Sequence, residues 1–149
     1  MDATSGDSGL GQPGAAPELK ASLTLDGDGS RIAQARHLAA AFLTKVKAEY
    51  GTPVAADTVQ VVQLIVSELV TNARKYAPGP ALLHLRTTGP VLRVELWDSS
   101  PVLPTARATD PSRIRQHGLE IVAALARTVT VEQTSVGKRI TADVILATA

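Results

Sequence analysis

Cysteine is absent from the 149 residues, so neither a disulfide framework nor a thiolate metal site is available, and a reducing compartment is expected. Also missing is any apolar run of the roughly 18 residues that a membrane-spanning helix needs. The opening stretch, MDATSGDSGLGQPGAAPE, carries Asp where a secretory leader carries Lys or Arg, and has no apolar segment of its own. A cytoplasmic location is the expectation. Charge of one sign is lacking as well: the formal net charge is +1, with no clustered basic face, which argues against a DNA-binding regulator or any other nucleic-acid partner. The histidines, His37, His84 and His117, are not spaced as a metal triad.

What is present is an ordinary globular composition, 44% hydrophobic and 19% charged, enough for one domain with a real core. The Gly, Ala, Ser and Pro of residues 1–17 bury too little apolar surface to offset the entropy of ordering, so a disordered tail is expected there and a folded domain over 18–149. LKASLTL (19–25) alternates as a strand does. Ser30 can cap the helix that follows, whose stripe is Ile32, Ala35, Leu38, Ala39, Phe42 and Val46; Gly51 ends it. A second helix is predicted over about 55–77, with Val59, Val62, Ile65, Val66, Leu69 and Val70 apolar, stopped by Pro78-Gly79-Pro80. ALLHLRTT and VLRVELWD flank Gly89-Pro90 as a hairpin, with Trp97 read as a core residue. Periodicity fails from Ser99 to Gln116, a loop long enough to be functional. HGLEIVAALAR reads as a short helix, and TVTVEQT and RITADVILA close the chain as a second hairpin around Val136-Gly137, where a turn glycine is unremarkable. The order β-α-α-β-β-loop-α-β-β implies an α+β two-layer sandwich, a mixed, mostly antiparallel sheet covered on one face by three helices.

Within the second helix, SELVTNARKYA puts Glu68 and Asn72 four residues apart and therefore on one face. On spacing alone the pair is compatible with a solvated stripe. If it is partly buried, a ligand must complete its bonding: an orphaned amide costs about 1–3 kcal/mol and an unpaired carboxylate more. Mg²⁺, an oxygen-seeking ion often shared between one protein oxygen and nucleotide phosphates, suits an amide oxygen beside a carboxylate. Asp98, where a strand meets the long loop, can accept from an exocyclic amine such as adenine N6, or can simply make an Asp-Ser turn. Gly118, at the expected start of the third helix, leaves room for an anion at a helix N-terminus.

In sequence these pieces resemble the Bergerat-type (GHKL) ATP-binding fold of gyrase and the histidine kinases, and in particular its small branch of anti-sigma-factor serine/threonine kinases. SELVTNARKYA resembles the N-box, VELWDSSPVLP the first glycine box, RQHGLEIV the second and GKRITADVIL the third, over roughly residues 20–147. The resemblance implies ATP and Mg²⁺ as cofactors. It implies Asn72 as the Mg²⁺ ligand, Glu68 as general base and Asp98 as the reader of adenine N6. It places Lys75 in the N-box, Gly118 and Leu119 at the phosphates, residues 99–116 as the ATP lid, Arg113 or Arg115 at the γ-phosphate, and Thr141 as a nucleotide-contacting hydroxyl. Its implied partners are an anti-anti-sigma (STAS-domain) protein and a sigma factor, with a homodimer by analogy. The second box keeps a single glycine, preceded by His117, and this supports the alternative: a catalytically weak or inactive interaction module of the same fold.

Overall fold

The computed structural model describes residues 18–25, 31–76, 80–98, 112–135 and 137–147, and within these the side chains of 74–76 and 112–117 lie outside the description. The expected tail 1–17, Ser30 and the loop residues 99–111 therefore fall outside it too. The elements are β1 (Lys20–Leu25), α1 (Arg31–Tyr50), α2 (Thr58–Tyr76), β2 (Ala81–Thr88), β3 (Val91–Asp98), α3 (Ser112–Leu125), β4 (Thr128–Gln133) and β5 (Lys138–Ile145). The strands form a five-stranded sheet in the order β1-β2-β3-β5-β4. Each of its pairings is antiparallel. The helices pack on one face, giving the α+β two-layer architecture that the sequence implies. Among the described residues no helix is long and apolar enough to cross a membrane.

Local chemistry sets the boundaries. Gly51 takes φ 64° and donates its N–H to Lys47 O at 3.0 Å, a left-handed cap that satisfies one of α1's last carbonyls. Gly89, at φ 57°, leads the two-residue turn between β2 and β3. Thr58 opens α2 with its hydroxyl on Leu146 O at 3.0 Å, tying the helix start to the end of β5.

Strand side chains alternate between faces, so parity sorts the sheet. Leu83 and Leu85 of β2, Leu92, Val94 and Leu96 of β3, and Ile140, Ala142 and Val144 of β5 are buried against Phe42, Leu43 and Val46 of α1 and Ile65, Leu69 and Val70 of α2. The opposite face is polar. There Arg93 grips Asp143 at 2.9 and 3.1 Å, and Glu95 lies within 3.8 Å of Arg86 and 4.0 Å of Arg139. Arg139 also pairs with Glu132 and stacks over Trp97 at 4.8 Å from the ring centre. Trp97, expected in the core, is instead half-buried on this outer face, because it alternates with the buried Leu96 and Asp98.

The third helix also departs from expectation. It begins at Ser112, so residues 112–116, taken as loop, form its first turns. SRIRQ offers one apolar residue and hence no stripe to read, yet Arg and Gln are good helix formers.

Candidate functional site

Four residues separate Tyr76, the end of α2, from Ala81, the start of β2. Ala81 pairs with Asp98, and Asp98 pairs with Lys138. The C-terminal turns of α2, the end of β3 and the start of β5 are therefore drawn to one end of the molecule. Helix α3 packs along α2 and completes that end.

Asn72 projects into this region from α2, in register with the buried Ile65 and Leu69, and is only 2% exposed. Neither its Oδ1 nor its Nδ2 has a hydrogen-bond partner among the described residues. That is an amide buried at a cost, with its bonding capacity unused among the described residues. Glu68, one turn earlier, is half-buried. Its Oε1 lies 2.7 Å from where a Cβ on Gly118 would stand. Gly118 is thus not at a helix N-terminus, as the sequence suggested, but well inside α3, where the missing side chain leaves room for the Glu68 carboxylate to approach closely. Leu119, next to it, is half-buried against the core.

Asp98 is buried on the helix-facing side of β3, in line with Leu92, Val94 and Leu96. Its Oδ2 stands 2.7 Å from Lys138 Nζ, and both side chains have no solvent exposure. The two form a close buried ion pair, and Lys138 Nζ meets no other acceptor among the described residues. Lys138 was not singled out from the sequence. Its importance depends on lying directly across the ladder from Asp98, and register is invisible in a list of strands.

Thr141 does not join this group. It alternates with Ile140 and Ala142, points to the outer face of the sheet, and sits opposite Glu95 on one side and Thr130 on the other. Its side chain is therefore on the opposite face of the sheet from Asp98 and Lys138. Lys75 lies in the last turn of α2 and Arg113 and Arg115 in the first turns of α3, but their side chains are outside the described residues. No trio of histidine and acidic side chains gathers as a metal cluster among the described residues, so a metal here would rely on the Asn72 oxygen and on its ligand's own oxygens.

The model of the family described as the histidine kinase-like ATPase domain matches residues 29–144. The chain belongs to that family, and ATP is the ligand that membership implies. The crystal structure of the RsbU and RsbW domains of Rv1364c from Mycobacterium tuberculosis has a similar fold, with a TM-score of 0.63 at 17% sequence identity. The similarity covers 89% of this chain and 33% of that one, so the chain spans about a third of that structure's length. Comparison with curated proteins gives no significant match.

The residues present fit Mg-ATP at one end of the site and resist it at the other. At the end formed by α2 and α3, an amide with no partner among the described residues and a carboxylate seated on a glycine are groups that would suit such a ligand's phosphates and metal. At the other end, the Asp98 carboxylate that would have to meet the base is already compensated by Lys138.

Proposed function

We propose that the chain binds Mg-ATP and acts as a regulatory protein-serine/threonine kinase on an anti-anti-sigma (STAS-domain) partner, with sequestration of a sigma factor as its other activity. The observation that carries this reading is Asn72: a buried amide whose two polar atoms are both unpartnered among the described residues persists because something else completes it. Asn72 Oδ1 would hold the metal. Mg²⁺, when bound, supplies charge neutralisation at the phosphates, and phosphoryl transfer depends mainly on that and on positioning. Glu68 would accept the proton of the attacking hydroxyl, with Gly118 keeping the space in which its carboxylate sits. A cytoplasmic location and a homodimer go with this reading by family analogy.

The test is a titration with Mg-ATP of the wild-type chain and of Asn72→Ala, followed by label transfer from ATP to a STAS-domain protein. Binding that requires Asn72, and transfer that disappears in Glu68→Ala, are expected. A wild-type chain that binds no adenine nucleotide overturns the reading.

The Asp98–Lys138 pair favours the second reading, an interaction module with weak or no turnover. Its signature is stoichiometric capture of the regulatory partner without nucleotide.

A further inference from the structure

We propose that Lys138 sets the nucleobase selectivity of this chain, by holding Asp98 in an ion pair that a purine amine has to displace. The proposal rests on the nucleotide reading above and concerns only its base end.

Asp98 and Lys138 are cross-strand partners on the helix-facing side of the sheet, and their charged atoms are 2.7 Å apart with no solvent exposure on either side chain. Lys138 is fully buried, a rarity for lysine unless it is paired. Its ammonium has donors to spare, because it carries three and meets no acceptor besides Asp98 among the described residues. The two purines differ at the position this carboxylate would read: adenine offers an amine donor, guanine a carbonyl acceptor. A lone carboxylate favours the first and repels the second. A carboxylate with an ammonium against it does neither strongly, since the ammonium competes with the adenine amine and itself suits the guanine carbonyl. Binding by this chain is then driven from the Asn72 end, with Mg-ATP and Mg-GTP held comparably. Lys138→Thr removes the competing ammonium from Asp98, which tightens ATP and loosens GTP.

The experiment measures Kd for Mg-ATP and Mg-GTP in the wild-type chain, in Lys138→Thr and in Asn72→Ala, with a thermal melt of each. A charge-assisted hydrogen bond regained by adenine corresponds to about a tenfold or greater shift of the ATP:GTP preference in Lys138→Thr. Since Lys138→Thr leaves a buried carboxylate without that cation and can fail to fold, Lys138→Gln, whose neutral amide can still donate to the Asp98 carboxylate, is measured alongside it. It removes the positive charge and keeps the carboxylate, so its preference moves the same way by a smaller factor. An ATP:GTP preference unchanged in the folded variants overturns the role of Lys138 while leaving nucleotide binding standing. If no protein in the series binds either nucleotide, the nucleotide reading fails, and this proposal with it.

Discussion

Burying an amide without a partner works against folding, so Asn72 is a residue where stability and ligand binding pull apart. Asn72→Leu replaces the orphaned group with hydrocarbon of similar size. It is expected to raise the unfolding free energy by about 1 kcal/mol, read from denaturant melts, while abolishing Mg-nucleotide binding. Gly118→Ala separates the same two quantities differently. A glycine inside a helix ordinarily costs about 0.5–1 kcal/mol relative to alanine. Here the new methyl would stand 2.7 Å from Glu68 Oε1, the far end of a flexible side chain that can swing away. Stability should therefore hold or rise slightly, while label transfer falls at least about tenfold because the base is displaced from its position. Parallel loss of both quantities in Gly118→Ala would mean that the glycine serves packing alone. The two substitutions together distinguish a ligand site from a badly satisfied core.

Among the elements, the outer face of the sheet is a structural unit in its own right. Asp143 accepts two hydrogen bonds from Arg93, with Thr128 Oγ1 a further donor at 3.4 Å. The bonds from Arg93 hold the Asp143 carboxyl below the usual carboxylate range, against the opposing effect of partial burial. Folding therefore favours the ionised form: the stabilisation is complete above the unfolded value of about 3.9 and is lost as pH falls through the lower folded value. Because the Arg93 side chain is 44% exposed, solvent screening reduces the pair to about 0.5–1 kcal/mol. Asp143→Asn should cost that much at pH 7 and close to nothing at pH 2, checked by denaturant melts at both values.

The same face marks the limit of what the sequence discloses. Helix α1 and the hairpin β2–β3 were legible because caps, glycines and apolar periods agree on them. The start of α3 was not, since a polar first turn after Pro111 carries no stripe. Glu68 and Asn72 were legible because their relation is local, one turn along a helix. The partnership of Asp98 with Lys138 and the outward aim of Thr141 are matters of register and parity between distant strands, and a shift of one residue would invert both.

For the molecule as a whole, the competing readings differ in what stabilises the fold. A ligand that binds only the native state adds RT ln(1 + [L]/Kd), about 2.7 kcal/mol at a hundredfold excess over Kd. For a chain of 149 residues, near the size at which 1 kcal/mol moves Tm by about 2–4 °C, that is a rise of about 5–10 °C. The kinase reading expects this rise with Mg-ATP, its loss in EDTA, and its absence in Asn72→Leu. A pure interaction module expects no response to nucleotide and a comparable rise with its protein partner alone. Lys138 places the chain between these limits: at one fixed ATP concentration well above Kd, each tenfold gain in affinity adds about 1.4 kcal/mol of ligand stabilisation. Lys138→Thr, or Lys138→Gln, should then gain more from Mg-ATP than the wild type does, measured from each protein's own ligand-free Tm so that the lost ion pair is not counted. An equal gain in the variants and the wild type would leave the buried pair a purely structural feature of the sheet's end.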